Sequence, residues 1–146
     1  MNVTIRPAGA HDRAGWNPLW QGYLTFYKHS LPDGVTELTW QRLLDDNPNM
    51  FCIIAADEDG KAVGFAHCIL HPSTWAEGPY CYLEDLFVDP KVRGGGVARK
   101  LIEEIYARAD AAGWPRVYWM TQEFNHVARI LYDKVASKEE FVPYSR

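Results

Sequence analysis

A run of three glycines, Gly94 to Gly96, separates an apolar β-type segment from an amphipathic helical pattern, and it constrains the fold of this chain more than any other feature. The segment Leu86-Phe87-Val88 ends at Asp89-Pro90, because proline has no N–H group to give to a strand ladder. After the glycines, apolar residues recur at helical spacing, at Val97, Leu101, Ile102, Ile105 and Ala109. A helix that begins after glycines offers unpaired N–H groups and a positive dipole end, which together suit a phosphate.

Three known phosphate-binding loops can be compared with this stretch. A P-loop needs Gly-Lys-Ser/Thr, whereas Gly96 is followed by Val97-Ala98. The dinucleotide fingerprint needs a third glycine or alanine where Arg99 stands, and an acidic residue about 20 positions further on, in the region of Arg116. The pattern Gln/Arg-x-x-Gly-x-Gly/Ala, which is the pyrophosphate loop of the GNAT acetyltransferases, is matched at every position from Arg93 to Ala98. The alternative interpretation is a plain loop with flexible glycines.

Length and composition predict one globular domain spanning residues 1–146, large enough to bury a core. No apolar run approaches the ~20 residues of a membrane span, and the N-terminus lacks the apolar region of a signal peptide, so a cytoplasmic enzyme is expected. The net charge of -4 argues against general nucleic-acid binding. Cys52, Cys68 and Cys81 are odd in number and lack Cys-x-x-Cys spacing, which indicates reduced, buried thiols rather than a disulfide framework or a zinc site.

The order of predicted elements indicates an α+β fold, with antiparallel hairpins first and βα units afterwards. Two early helices are expected, one capped by Asp12 and either delayed or bent at Pro18, and one capped by Thr39 and ending before Pro48. Two later helices cover residues 97–112 and 125–135. The predicted strands are residues 3–7, 50–56, 62–70, 80–88, 116–120 and, as a possible last strand, 141–144.

This order and these motifs resemble the GNAT superfamily of N-acetyltransferases over essentially the whole chain. The matching positions are Ile5-Arg6-Pro7 with Asp12, the run from Tyr82 to Val88, and Asn125, Ala128, Leu131, Tyr132 and Lys134 of an Asn-x-x-Ala-x-x-Leu-Tyr-x-Lys signature. Within the superfamily, Tyr-Leu-Glu-Asp-Leu-Phe-Val is similar to the spermidine/spermine (diamine) acetyltransferases, and other segments are similar to small histone/polyamine acetyltransferases. The chain departs from the pattern between Val135 and Phe141, where the usual Gly-Phe is missing.

The resemblance implies a GNAT fold, with a mixed central sheet of about six to seven strands flanked by about four helices. It implies acetyl transfer from acetyl-CoA to a small or lysine-like primary amine, with no metal, and a homodimer. The strand N–H groups around Leu86, Phe87 and Val88 would stabilise negative charge on the thioester oxygen. The remaining residues that it assigns to the cofactor are Arg93, Gly94, Gly95, Gly96, Val97, Ala98, Arg99 and Asn125.

Two adjacent carboxylates interrupt the apolar central strand. Glu84 is the predicted general base, because an ammonium acceptor must lose a proton and desolvation would raise the pKa of this carboxyl. The alternatives are that Glu84 anchors a cationic substrate or pairs with Arg6. Asp85 would point to the opposite face of a regular strand, and a bulge would change that. Asp85 is the predicted substrate anchor.

The remaining candidates are mostly aromatic. Tyr132 is the general acid that the resemblance implies, and on spacing alone it is a core aromatic. Asn125 either holds the pantetheine arm or caps its own helix. Tyr27 and Trp75 are predicted to contribute to a cation–π wall for the amine, or else to ordinary packing. His67 and His71 would share a strand face without an evident third metal ligand, so they are assigned to the rim or the core.

The predicted function is that of an acetyl-CoA-dependent N-acetyltransferase. The alternative from another class is a non-catalytic acyl-CoA-binding or interaction module on the same fold. The presence of both Glu84 and Tyr132 argues for the enzyme. The sequence leaves the acceptor amine open.

Overall fold

The computed structural model describes residues 2–45 and 49–146. Within those ranges one five-stranded sheet carries four α-helices and two short 3-10 helices, at Ala10–Asp12 and Pro90–Val92. The strands are β1 (Thr4–Pro7), β2 (Met50–Ala56), β3 (Ala62–His71), β4 (Tyr80–Val88) and β5 (Arg116–Tyr118). The helices are α1 (Arg13–Phe26), α2 (Val35–Leu44), α3 (Val97–Ala112) and α4 (His126–Val135).

The strands follow chain order across the sheet, and the last pairing differs in kind from the others. β1 to β4 are antiparallel neighbours, whereas β5 pairs with β4 in parallel. That parallel register joins Tyr80 to Arg116 and Tyr82 to Tyr118, and nothing further along β4 pairs with β5 in the described chain. β4 and β5 therefore separate beyond Tyr82 and leave one edge of β4 open.

Both faces of the sheet bury apolar side chains, because the strands alternate between two cores. One core packs α3 against residues such as Ile53, Ala66 and Leu83. The other packs α1 and α2 against the opposite face, around the fully buried Trp16 and Phe65. The face that α1 covers is called the α1 face below.

The strand count differs from the expectation of about six to seven, since the described residues form five. The predicted strand at 116–120 ends at Tyr118. Residues 141–144 are described and lie outside any strand, with Phe141 85% and Tyr144 93% exposed. Pro143 has no N–H group to donate to a ladder, which disfavours a strand in this segment. The α+β class itself is as predicted.

The two early helices begin at other residues than the sequence predicts. α1 starts at Arg13 and contains Pro18, so a late start is wrong. The Asp12 side chain does not cap it, and instead binds Arg6 at 2.7 and 2.8 Å. α2 starts at Val35, after Gly34 at φ 86°, so Thr39 lies inside the helix. Pro48, which was expected to follow α2, lies outside the described residues.

Two further predictions concern the state of the cysteines and the possibility of a membrane-spanning helix. Cys52, Cys68 and Cys81 are buried and free, as predicted. None of the helices in the described part of the chain is long and apolar enough to cross a membrane.

Candidate active site

A β-bulge in β4 brings the two carboxylates of the central strand to the same face of the sheet. Asp85 pairs with His67, but the next pair along is Leu83 with Cys68, so Glu84 is the extra residue. Leu83 packs into the core on the α3 side, whereas Asp85 contacts His67 beneath α1. Alternation places Glu84 on the α1 face as well. Of the two alternatives for Asp85, the bulge is therefore the one that the structure shows, and the opposite face of a regular strand does not apply.

Asp85 is held by a histidine whose tautomer can be assigned. The indole N–H of Trp16 can only donate, and it lies 2.9 Å from Nε2 of His67. Nε2 is therefore the acceptor, so Nδ1 carries the proton and donates to Oδ2 of Asp85 at 2.9 Å. His67 is only 2% exposed, which shields this chain from water. Sequence analysis assigned His67 to the rim or core and missed its link to Asp85, because that link depends on strand register.

Glu84 itself reaches the surface of the cleft. Its pKa is raised above the ordinary glutamate value, first by partial desolvation and then by the negative charge of Asp85. Arg6 is occupied by Asp12 at 2.7 Å, so the alternative that Glu84 pairs with Arg6 is wrong. The arrangement gives a carboxylate that binds a proton more readily than an isolated glutamate does.

Two tyrosines from the end of α1 line the carboxylates. Burial raises the pKa of the Tyr23 hydroxyl, and the charge of Asp85 and a hydrogen bond to it raise that pKa further. Burial and then Asp85 raise the pKa of Tyr27 in the same way. The two rings contact each other, with centroids 4.9 Å apart. Both side chains therefore stay neutral and offer hydroxyl groups and ring surface beside Asp85.

Tyr132 approaches this cleft from the other side of the sheet. It lies on α4, packs against the α3-side core, and meets the ring of Trp119 edge-on at 5.4 Å. Burial raises its pKa to about 12, and Tyr27 contributes to that increase. Tyr132 therefore holds its proton more tightly than a free tyrosine does.

The open edge of β4 leads from the carboxylates to the glycine loop. The N–H of Asp89 donates to Val63 on β3, so alternation directs the N–H groups of Leu86 and Val88 toward the open edge. Phe87 turns its side chain into the α1-side core instead. An extended chain could therefore bind along Leu86 and Val88 as an added strand would.

The loop after β4 has the backbone that a phosphate site requires. Gly94 and Gly96 have φ values of 88° and 78°, where a side chain would be strained, whereas Gly95 is not among the positive-φ residues of the described chain. Gly96 precedes α3, and no side chain of the described residues caps this helix end. The first N–H groups of α3, from Val97 and Ala98 onward, are thus available to an anion such as a pyrophosphate.

The two arginines assigned to this loop are engaged elsewhere. Arg93 donates from Nε to the Val88 carbonyl at 3.1 Å and lies over the ring of Phe87. Arg99 donates to Glu103 at 2.8 Å on the exposed face of α3. Arg93 thereby braces the loop against β4, while Arg99 forms an exposed ion pair through Nε with Glu103 on its own helix.

The remaining predicted residues lie at the margins of the cleft. The Asn125 side chain accepts from the Ala128 N–H at 3.3 Å, so it caps α4, the alternative that physical reasoning favoured. Trp75 lies in the loop between β3 and β4 and is 85% exposed. His71 bonds Tyr118 at 2.7 Å on the rim of the sheet. Among the residues that the structure describes, no group of three or more His, Cys, Asp or Glu side chains could hold a metal ion.

Comparisons with known proteins agree on one family. The Acetyltransferase (GNAT) family model matches residues 16–136. The D-amino-acid N-acetyltransferase HPA3 of Saccharomyces cerevisiae is 40% identical over 145 residues, which cover 99% of this chain and 90% of that protein. The aminoglycoside N(6')-acetyltransferase type 1 of Stenotrophomonas maltophilia is 34% identical over 113 residues, covering 75% of this chain and 69% of that protein.

Solved structures share the fold. AAC(6')-Iy in complex with the bisubstrate analogue CoA-S-monomethyl-acetylneamine matches with a TM-score of 0.85, and the match covers 100% of this chain and 98% of that one. The two sequences are 21% identical, so this likeness concerns the fold alone.

Proposed function

Because the chain belongs to the acetyltransferase (GNAT) family, we propose that it transfers the acetyl group of acetyl-CoA to a primary amine held at Glu84 and Asp85. The observation that carries the proposal is the bulge, which puts both carboxylates on one face beside the open edge of β4. The related proteins named above are an acetyltransferase of D-amino acids and one of aminoglycosides, so amines of both kinds are candidate acceptors.

The loop and the open edge fit acetyl-CoA. The N–H groups at Gly96 and the start of α3 would bind its pyrophosphate, and the N–H groups of Leu86 and Val88 would bind its extended arm and thioester oxygen. When bound, acetyl-CoA supplies an acetyl group activated as a thioester. Both features are present in the protein backbone, so they do not depend on rearrangement of side chains.

The raised pKa of Glu84 brings the proton affinity of this carboxylate closer to that of an amine acceptor. An alkyl ammonium with a pKa near ~10.4 leaves a neutral fraction on the order of 10⁻³ to 10⁻⁴ at neutral pH. Glu84 would accept that proton directly or through a water molecule, and its raised pKa suits it to do so. Asp85, oriented by His67, would attract the ammonium and hold it beside Glu84.

Tyr132 would donate a hydrogen bond to the departing thiolate. A thiol has a pKa of about 8.5, whereas the pKa of Tyr132 is about 12. Complete proton transfer from Tyr132 is thus uphill by roughly 3.5 in pKa, on the order of 5 kcal/mol. We therefore assign Tyr132 a strong hydrogen bond to the developing charge, with the proton supplied in the end by water or the acceptor.

A thiol-release assay tests the proposed function. Acetyl-CoA is incubated with the protein and with a panel of primary amines that includes D- and L-amino acids, diamines, polyamines and aminoglycosides. Release of free CoA that depends on one class of amine supports the proposal. Binding of CoA without release by any amine would instead favour the non-catalytic module.

Three finer predictions from the sequence belong with this proposal. The similarity to polyamine acetyltransferases predicts activity on diamines, which the same panel measures. The homodimer is tested by analytical ultracentrifugation, and the cytoplasmic location by cell fractionation. The proposal also keeps one domain over residues 1–146, which limited proteolysis tests.

A further inference from the structure

The ring of Tyr23 on α1 is fixed by aromatic side chains of the two central strands. It meets the ring of Phe65 on β3 edge-on, with centroids 6.1 Å apart, and the ring of Phe87 on β4 edge-on at 6.3 Å. Edge-to-face contacts of this kind favour one arrangement of the rings over others. The buried α1-side core therefore sets the direction in which the Tyr23 hydroxyl points.

The hydroxyl of Tyr23 meets the carboxylate of Asp85. Phe65 and Phe87 are partners in the β3–β4 ladder, and the pair His67 and Asp85 lies two residues further along on the same face. Tyr23 makes a side-chain hydrogen bond to Asp85. Burial, as the leading cause, raises the pKa of Tyr23, so its hydroxyl keeps the proton and is the donor in that bond.

Asp85 is thus held by two uncharged donors from two different elements. His67 on β3 donates from Nδ1 at 2.9 Å, and its Nε2 accepts from Trp16, so the imidazole is neutral. Within residues 2–45 and 49–146, no lysine or arginine forms an ion pair with Asp85. The carboxylate is therefore oriented by its neighbours while its negative charge remains available to an ammonium group.

Gly22, the residue before Tyr23, allows α1 to approach β4 closely. A Cβ atom at this position would lie 3.0 Å from Cζ of Phe87 and 3.1 Å from its Cε2. Phe87 has little room to yield, because it is 7% exposed, contacts Phe65 and lies beneath the guanidinium of Arg93. A side chain at position 22 would therefore push α1 outward and carry the Tyr23 hydroxyl with it.

We propose that Tyr23 is a positioning residue that acts through Asp85 on the acceptor amine. Its hydroxyl and the imidazole of His67 hold the carboxylate in one orientation, and Gly22 lets α1 come close enough for the bond to form. The inference rests on the proposed function and deepens it. Because Tyr23 acts on the amine anchor, its loss should weaken the amine and leave acetyl-CoA unaffected.

The test measures the KM for the amine and the KM for acetyl-CoA by thiol release, each with the other substrate at saturation. The amine is the member of the panel above that wild type acetylates fastest. The variants are Tyr23→Phe, Gly22→Ala and the double variant that combines them. Thermal melting confirms that each variant is folded.

The chain offers a matched control for each substitution. Tyr106→Phe also removes a bonded phenol hydroxyl, which donates to the Val135 carbonyl at 2.8 Å outside the cleft. Gly15→Ala places the same methyl group on α1, at a position where a Cβ atom would lie 3.3 Å from Cβ of Ala62. Neither control touches the bond between Tyr23 and Asp85.

Tyr23→Phe should raise the KM for the amine roughly tenfold and leave the KM for acetyl-CoA unchanged. Gly22→Ala should raise the KM for the amine about threefold, because it stretches the same hydrogen bond. The double variant should agree with Tyr23→Phe within about twofold, since both changes act through one bond. Both controls should leave the two KM values at those of wild type.

An unchanged KM for the amine in Tyr23→Phe, or an equal rise in the KM for acetyl-CoA, would overturn the proposal. A double variant whose effect is the product of the two single effects would also overturn it. If Tyr23→Phe did not fold, Gly22→Ala measured against Gly15→Ala would decide in the same way. Each of these outcomes leaves the proposed function standing, whereas a wild type that releases no CoA with any amine would overturn that function and this inference with it.

Discussion

His67 donates a hydrogen bond from Nδ1 to Asp85 at 2.9 Å, and this contact fixes the orientation of the carboxylate that we propose as substrate anchor. The imidazole is fixed in turn by the indole of Trp16. Two hydrogen bonds thus link Trp16 on α1 to His67 on β3 and His67 to Asp85 on β4. They connect the buried aromatic core to the surface of the cleft. The core sets the direction of one charged group in the site.

Replacing His67 should affect the amine more than acetyl-CoA. His67→Leu removes one hydrogen-bond donor from the partly buried carboxylate of Asp85. We therefore expect the KM for the amine to rise roughly tenfold, while the KM for acetyl-CoA stays unchanged. Steady-state kinetics with each substrate varied in turn measures this. Trp20→Phe is the control, because it removes an indole hydrogen bond to Thr36 at 3.2 Å from the same core but keeps both hydrogen bonds of His67. An equal rise in both variants would reduce His67 to a purely structural role.

The Arg6–Asp12 pair should stabilise the fold only where Asp12 is ionised. Hydrogen bonding to Arg6 holds the pKa of Asp12 below its usual value, so the contribution is complete above the unfolded pKa of about 3.9 and is lost as the pH falls through the folded pKa. We expect Asp12→Asn to lower the free energy of unfolding at neutral pH by about 1–3 kcal/mol. Urea unfolding of both proteins at neutral pH and at pH values below about 3.9 would show the difference shrinking. A difference that does not depend on pH would refute the ion pair as its origin.

Removing the Tyr132 hydroxyl should slow the reaction without weakening the binding of acetyl-CoA. Tyr132→Phe keeps the ring against Trp119, and we expect kcat to fall by about tenfold or more with little change in the KM for acetyl-CoA. Tyr106→Phe is the matched control, because it loses a hydrogen bond to the Val135 carbonyl at 2.8 Å outside the cleft. That variant should lose about 1 kcal/mol of stability and keep its kcat. An unchanged kcat in Tyr132→Phe would mean that Tyr132 is a core aromatic with no role in the reaction.

The glycine loop should lose its ligand when a branched side chain is introduced. Gly96 has φ 78°, so Gly96→Val forces the loop out of the conformation that exposes its N–H groups. CoA at about 100 times its Kd should stabilise wild type by about 2.7 kcal/mol and this variant not at all, as measured by thermal unfolding. Gly60→Val is the control, since Gly60 has φ 82° in the β2–β3 turn and should lose stability but keep the response to CoA. A response of Gly96→Val equal to that of wild type would refute the loop assignment.

Local patterns in the sequence predicted the parts of the site that depend on neighbouring residues. The glycines before α3 are consecutive, and Asn125 and Tyr132 are seven residues apart at the start of α4 and within it, so residue order alone indicates them. The predicted strands at 50–56 and 80–88 agree with β2 and β4, because the hydrophobic pattern sets them directly.

Contacts between strands could not be predicted in the same way. The bulge at Glu84 depends on how β3 and β4 align, and no single residue in either strand predicts its position. The Trp16–His67 contact joins residues that are 51 positions apart in the sequence. The pairing of Tyr82 with Tyr118 joins residues that have the whole of α3 between them in the sequence. The additional strands implied by the resemblance are missing from the described residues: β5 is the last strand, and residues 141–144, which include Pro143, do not pair with the sheet.

The pH dependence of kcat/KM for a primary amine, in wild type and in Glu84→Gln, tests the central claim most directly. The raised pKa of Glu84 means that wild type should lose activity on the acid side at a pH above the ordinary glutamate value of about 4.3, where the carboxylate becomes protonated. Glu84→Gln should lower kcat/KM by about 10²- to 10⁴-fold and abolish that acid limb, while Glu104→Gln on α3 changes neither. Equal activity of Glu84→Gln and wild type at every pH would contradict the account.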